Sequence, residues 1–523
     1  MAIRMVHALL LAMLLAAPLS AQRVEVEEFT LDNGMKFLLL PRSGDPNVAA
    51  GWISKFGSVN ERPGVTGVAH LFEHMMFKGT RTIGTKDVQR DAEIIDELDA
   101  MRARIQAERA VLLEKERRGL IDSAANPAHR SARHTELLQR FNKLLAEQRE
   151  LIVKDEFTQI YTTNGGSGMN AGTTNDFTIY FINVPANKIE LWFWMESDRL
   201  SNPVFREFYS ERDVVREERR LRTDSTPTGR LDEQLETMFW MSSPYGWPVI
   251  GWPSDLDAIT RAEAMEYFDR YYSPNNLVAS LVGDFDLERV KELAVRYFGR
   301  LENRGAPPGP VRTREVQQQA QQRLVGHAET RPQASIRFHT VPDAHVDEPP
   351  LIVLAAILNG RTGRLYKSLV LEQQVAVQAG AGVDGRKYDG SFRLGGVAAP
   401  GRTPEELEKA LLEELDLIAR EPVGERELQK VKNQQLAGDF RKLQSKFGLM
   451  LQLLTYEALG EWSNVNVFSD RIQAVTAEDI QRVAKRYFAE TNRTVALYHT
   501  KEGAGPPGGR PGGPRRPPQG GPR

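Results

Sequence analysis

The chain has 523 residues, of which 41% are hydrophobic and 26% charged, an ordinary globular composition with length enough for two or more domains. A formal net charge of −2 gives no global pull toward nucleic acid or an acidic membrane surface. Cysteine is absent, which excludes thiol catalysis, thiolate metal ligands and disulfides, so stability has to come from the core.

Arg4 and His7 precede the apolar run 8-ALLLAMLLAAPLSA-21, and the sequence turns polar at Gln22 and Arg23. A positive start, a short apolar stretch and the small residue Ala21 read as a signal peptide over 1–21. The run is shorter than the ~20 residues that span a bilayer. Leu19, third before the cut, is a poor residue there, so the cut itself is not fixed by the pattern. The mature protein is expected to be exported, and no further long apolar run provides an integral membrane segment.

A first lobe is expected over 24–302. It opens with 29-FTLDNGMKFLLLP-41, where Asn33-Gly34 is a turn signal between two strand-like runs, and continues with the strand 47-NVAAGWISKFGS-58. Next comes 67-GVAHLFEHMMFKGT-80, with His70, Glu73 and His74 in an otherwise apolar run. Helical spacing puts His70 and His74 on one face, with Glu73 beside them. Two neutral imidazoles suit zinc, and an adjacent carboxylate can take a proton from a water that the metal has acidified. This is the reversed form of the His-Glu-x-x-His metallopeptidase helix. An ordinary helix with unrelated histidines would leave three polar groups without partners if buried, a need that a metal meets.

From Asp87 to Glu156 the chain turns charged. Ile94, Leu98, Met101, Ile105 and Leu112 follow helical spacing, Pro127 breaks it, and Leu137, Phe141, Leu144 and Leu151 resume it. The pattern predicts an inserted antiparallel hairpin, a short coiled coil that reads as a solvated appendage without chemistry and removable without loss of folding. After it stand the Gly-rich turn and strand 165-GGSGMNAGTTNDFTIYFINVP-185 and the charged helix 206-REFYSERDVVREERRLR-222. Glu211 and Glu218, two helical turns apart, share a face. One could bind metal while the other orients a histidine, or both could belong to a solvated, arginine-paired surface.

A linker is expected over 303–323, a second lobe over 324–500 and a Pro/Gly/Arg tail over 501–523 that cannot bury a core. The two lobes look duplicated: at an offset of 216, Thr260, Arg270, Tyr271 and Asn276 meet Thr476, Arg486, Tyr487 and Asn492. The predicted fold is α+β, two homologous α/β lobes in tandem with a helical hairpin inserted in the first.

His70-x-x-Glu73-His74 followed by 211-ERDVVREE-218 resembles the pitrilysin (insulinase) family of zinc metallopeptidases, which includes the mitochondrial processing peptidase. The resemblance takes in 31-LDNG-34, 170-NAGT-173, 273-SPNN-276 and the duplicated lobes. It implies His70, His74 and Glu218 as ligands of one zinc ion, Glu73 as general base and Glu211 as the acid that orients a ligand. It also implies Asn170 and Ala171 on a strand that takes extended peptide by strand addition. Glu218 follows His74 by 144 residues, farther than in the family's usual pattern, and the 70-residue hairpin accounts for the excess. The second lobe departs from the family more. Its 351-LIVLAAILNGRTGRLYKSL-369 has no histidine, and the family's substrate-holding arginine and tyrosine fall on Val370 and Val377. Arg361, Arg364 or Tyr366 could serve from a shifted register. The resemblance thus implies an exported zinc endopeptidase of unfolded or extended peptides, in a bacterial periplasm or envelope. It works with a homologous companion subunit, as a heterodimer or homodimer, and without nucleic acid. The rival expectation is a non-catalytic assembly or peptide-binding subunit of a two-chain peptidase.

Overall fold

A computed structural model describes residues 23–502. The predicted signal peptide and the tail beyond Glu502 lie outside the described residues. The chain forms two compact units. The first comprises the described residues through Arg219 with Ser243–Arg314 and Lys432–Ala474; the second comprises Arg220–Ser242, Glu315–Val431 and the described residues from Val475.

The first unit holds a six-stranded sheet of β1 (Glu27–Thr30), β2 (Lys36–Pro41), β3 (Asn47–Ser54), β4 (Ser167–Thr173), β5 (Thr178–Pro185) and β6 (Leu277–Gly283), in the order β1-β2-β6-β3-β5-β4. Its central strands are buried on both faces, which is why β2 and β6 read as nearly continuous apolar runs rather than alternating ones. Phe37, Leu39, Trp52, Tyr180 and Leu281 face the main core with the helices, while Leu38, Leu40, Ile53, Val278 and Val282 pack against Leu449, Met450, Leu453 and Leu454. The latter four lie on the helix Lys446–Leu459. Sequence order alone assigned this segment to the second lobe; its apolar face instead closes the first sheet, so the units are not continuous halves of the chain.

The second unit holds β7 (Gln322–Ala328), β8 (Gln333–Thr340), β9 (Ala376–Gly385), β10 (Gly390–Ala398) and β11 (Arg493–Thr500), in the order β7-β11-β8-β10-β9. Strand for strand this repeats β2-β6-β3-β5-β4, down to the single parallel pair, β2–β6 in one sheet and β7–β11 in the other. The helix before each repeated strand starts with the same capping box, Thr260 with Glu263 and Thr476 with Asp479. After each helix an asparagine amide returns to it, Asn276 Nδ2 to Tyr271 O and Asn492 Nδ2 to Tyr487 O, both at 2.8 Å. Two α/β units of one design, with a hairpin inserted in the first, is the predicted fold class. Residues 301–321 form no helix or strand, and one of the boundaries between units falls within them. Among the described residues, no helix is long and apolar enough to cross a membrane.

The hairpin consists of the helices Val88–Arg117 and Ala132–Leu151. It is not an appendage. Ile94, Leu98, Met101, Ile105, Phe141, Leu144 and Leu145 all belong to the main core of the first unit. Burying such side chains stabilises by roughly 1.5–3 kcal/mol each, in sum comparable with the ~5–15 kcal/mol net stability of a whole domain. Only the distal part, residues 113–133, contains no buried residue. Replacing residues 114–130 by a short Gly/Ser turn is therefore expected to leave the thermal midpoint nearly unchanged, whereas excision of 89–155 should give unfolded or insoluble protein. Circular dichroism melting of the two variants decides, and a folded 89–155 excision would show that the seam is dispensable.

Candidate metal centre

The helix Val68–Met75 starts where two carboxylates hold its approach. Glu61 accepts from Gly67 N and Ala69 N at 2.9 and 2.8 Å, and Asp255 accepts from Gly64 N, Thr66 N and Thr66 Oγ1. Both lie at the positive end of the helix dipole. Burial pushes the Glu61 carboxyl well above the usual range, against the pull of its two amide donors. Gly67 has φ of 90°, and a Cβ there would lie 2.7 Å from Ile250 O, so the turn admits little else. Leu71, Phe72 and Met75 go into the core, which leaves His70, Glu73 and His74 on the opposite side.

That side meets the helix Phe208–Arg219, which is anchored by buried Phe208, Tyr209 and Val215. Glu218 Oε2 lies 3.3 Å from His74 Nε2 and 3.7 Å from His70 Nε2. One ligand atom from each of His70, His74 and Glu218 can be chosen within 4.8 Å of the others. Tetrahedral zinc with nitrogen and oxygen ligands at ~2.0–2.1 Å needs donors ~3.3 Å apart. The set fits. Glu217, next along the chain, is exposed and outside the group.

Glu211 is buried, and its Oε2 lies 3.3 Å from His74 Nδ1, the ring nitrogen that does not face Glu218. Its other oxygen is 2.5 Å from Lys78 Nζ. Burial alone would raise the Glu211 carboxyl; the bonds from His74 and Lys78 outweigh it and hold the pKa below the usual value. On His74 burial opposes charge, but the bond to Glu211 and the carboxylates of Glu211, Glu218 and Glu73 raise its pKa. The pocket thus favours a cation. Glu73 accepts a hydrogen bond from Thr173 Oγ1 at 2.7 Å, from the end of β4. Asn170 and Ala171 lie on the same strand, the outermost of the sheet, with Asn170 exposed.

Thr173 and Lys78 were not singled out from the sequence. A threonine closing a strand and a lysine after a helix carry no local signal of a site, and only the packing of β4 and the helix Phe208–Arg219 against the His70–His74 helix reveals them. In the second unit, Arg364 is held in a two-bond ion pair with Glu427 at 2.8 and 3.2 Å, and Val377 is exposed.

Two family descriptions match this chain, Insulinase (Peptidase family M16) over residues 37–110 and Peptidase M16 inactive domain over 258–435. The chain belongs to peptidase family M16. The M16 chain is 24% identical to the zinc protease PqqE of Helicobacter pylori over 90% of its own length and 92% of that protein. It is 21% identical to the uncharacterized zinc protease YmxG of Bacillus subtilis, covering 89% and 96%. Among solved structures, a protease from Helicobacter pylori superposes with a TM-score of 0.74 at 22% identity, covering 91% of this chain and all of that one. The periplasmic protease PqqL of Escherichia coli superposes with a TM-score of 0.65 at 17% identity, and the match covers 92% of this chain but 48% of PqqL. At these identities the superpositions speak to the fold.

Metal analysis of four purified variants tests the ligand set. His70→Ala, His74→Ala and Glu218→Gln are each expected to lose bound zinc, and Glu217→Gln to keep about one ion per chain, as expected for a single site of three protein ligands with an open fourth position. Zinc lost from Glu217→Gln and kept by Glu218→Gln would reverse the assignment.

Proposed function

We propose that this chain is a zinc-dependent endopeptidase acting on unfolded or extended peptides. The observation that carries the reading is the convergence of His70, His74 and Glu218 at donor spacings that suit zinc, with Glu73 alongside. Zinc held there would supply an acidified water and polarise the scissile carbonyl. Glu73 takes the proton, and the Thr173 hydroxyl fixes which carboxylate oxygen is free to do so. Glu211 holds the His74 ring through Nδ1, which keeps Nε2 turned toward the ligand position. Asn170 and Ala171 sit on the outer edge of the sheet, where an extended substrate can add as a further strand. The zinc protease names of PqqE and YmxG support the same reading. An exported, envelope-located enzyme is supported by the leader-like 1–21 and by the periplasmic setting in which PqqL is described.

A companion subunit belongs to the proposal. Val370 and Val377 stand where the family's substrate-holding donors are expected, and a valine side chain donates no hydrogen bond. Arg364, which could replace them, is committed to Glu427. The match to half of PqqL is the proportion expected of one member of a pair. The rival reading, a non-catalytic assembly subunit, has no use for an intact His-x-x-Glu-His helix with Glu218 in range of both histidines.

Glu73→Gln is expected to retain about one zinc per chain and lose hydrolysis of a quenched casein-like peptide by at least ~10²–10⁴-fold, the usual cost of a missing general base. Near-normal turnover would remove Glu73 from the reaction. The wild-type chain alone should cleave weakly and gain strongly when a homologous subunit with the arginine and tyrosine is added. Full activity from the single chain, abolished by Arg364→Ala or Tyr366→Phe, would refute the two-subunit part and keep the peptidase.

A further inference from the structure

The base of the hairpin borders the metal centre. A cavity of about 600 Å³ is lined by Phe77 and Lys78 after the His70–His74 helix, by Met169 and Asn170 of β4, and by Glu211. Its remaining wall is the end of the hairpin, with Arg149, Ile152, Val153 and Lys154. This wall is fixed in place. Thr85 and Ile152 pair as an isolated antiparallel bridge, Val153 N donates to Gly84 O at 3.1 Å, and Lys86 N donates to Leu151 O at 2.8 Å. Gly84 N donates to Glu156 Oε2, and a Cβ at Gly84 would lie 2.8 Å from Arg206 Nη1, so the loop under the wall is packed to contact.

The charges around the cavity are not equally committed. Glu211 and Glu207 are paired with Lys78 at 2.5 and 3.6 Å, and Glu156 is bonded to Gly84 N. Arg149 and Lys154 are exposed and form no ion pair among the described residues; Asp155, also exposed and unpaired there, is the one uncommitted carboxylate. The wall therefore presents two cations outside any ion pair, Arg149 and Lys154, next to Asp155 and the amide-bonded Glu156. Phe77, Met169, Ile152 and Val153 give the same cavity an apolar lining for a side-chain stem.

We infer that the cavity is a substrate subsite and that the hairpin base, through Arg149 and Lys154, selects an acidic side chain beside the scissile bond. The inference rests on the peptidase reading for the words substrate and scissile, and on the cavity for the rest. A guanidinium and an ammonium recognise a carboxylate by charge-assisted hydrogen bonds, while the methylenes of glutamate suit the apolar lining. The volume exceeds one side chain, so it also accommodates backbone laid along β4 at Asn170. The insertion that lengthens the interval between the histidines and Glu218 thereby acquires a task, preference among peptides.

The test uses the full-length, zinc-loaded Glu73→Gln chain and labelled extended peptides that differ only in Glu or Lys flanking a central residue, with binding read by fluorescence anisotropy at low salt. Glu peptides are expected to bind roughly tenfold tighter than Lys peptides, the scale of two partly exposed charge pairs. Adding Arg149→Glu with Lys154→Glu should abolish or invert that ratio while zinc content and melting temperature stay unchanged, and the 114–130 replacement should leave the ratio as it was. An unchanged ratio in the charge-reversed protein, or no discrimination in its parent, overturns the inference. Binding discrimination by a chain whose wild type hydrolyses nothing even with a homologous arginine- and tyrosine-bearing subunit added would refute the peptidase reading and leave the acidic-ligand site standing.

Discussion

One buried arginine joins the pieces of the candidate metal centre. Arg206, 1% exposed, donates from Nε to Asp91 at 2.6 Å, from Nη1 to Lys78 O and Ile83 O, and from Nη2 to Thr80 O. Asp91 lies in the first hairpin helix and also accepts from Gln148 Nε2 of the second at 2.9 Å. Arg206 itself lies two residues before the helix that carries Glu211 and Glu218. A single guanidinium therefore ties the loop after the histidines, both hairpin helices and the approach to Glu218. A charge so placed is tolerable only while every strong donor is met, and breaking one partner of a buried pair costs about 3–5 kcal/mol. That asymmetry makes the geometry nearly all-or-none. The loop cannot relax around a lost contact without stranding a charge away from water.

A second buried cation works on the other end of the histidine helix. Arg199 lies over the rings of Tyr180, Trp52, Phe157 and Phe77 at 4.8–5.7 Å and is paired with Glu196, which also accepts from Trp52 Nε1 and Tyr161 Oη at 2.6 Å. Arg199 Nη1 points at Met76 O, 3.4 Å away, one of the carbonyls that the helix end leaves unpaired. With Glu61 and Asp255 at its start, the helix is held at both termini by side-chain hydrogen bonds. Its histidines can then keep their spacing without help from a ligand, which is the preorganisation that a metal centre needs.

How much of this could be read from one dimension depended on the range of the interaction. The His70–Glu73–His74 face, the Glu211–Glu218 face and the paired capping boxes are local, set by helical period and cap chemistry, and the sequence displays them directly. The hairpin seam at Ile94, Leu98, Met101 and Ile105 was also visible, but a seam that faces a partner helix and one that faces a core have the same spacing. Only the tertiary fold distinguishes them. For the same reason Leu449, Met450, Leu453 and Leu454 announce a buried helix without saying which sheet they close, and sequence order was the wrong guide. Arg206 and Arg199 were invisible as organising residues, since an arginine in a charged stretch looks solvated until its acceptors, distant backbone carbonyls among them, are known.

The second unit shows what the His70, Glu73 and His74 cluster costs the fold. Its helix Glu348–Leu358 follows β8 as the helix Val68–Met75 follows β3, and the two strands are equivalent in their sheets. There the body of the helix is apolar, with Leu351, Val353, Leu354, Ile357 and Leu358 buried and no histidine. Polar chemistry is confined to its start, where Asp347 accepts from Tyr487 Oη at 2.6 Å and pairs with Arg482 and Arg486. Burial makes those bonds and ion pairs necessary, and together they hold the Asp347 carboxyl below its usual pKa. Both copies thus anchor the helix N-terminus with carboxylates, but only the first interrupts its face with two imidazoles and a carboxylate. Polar groups in that position cost roughly 1–3 kcal/mol each when left without partners, and the first unit meets the cost with Glu211, Glu218, Lys78 and Thr173. A helix freed from those obligations reverts to apolar packing. The difference between the copies is therefore the difference between a helix face that carries three polar side chains with their partners and one that is apolar throughout.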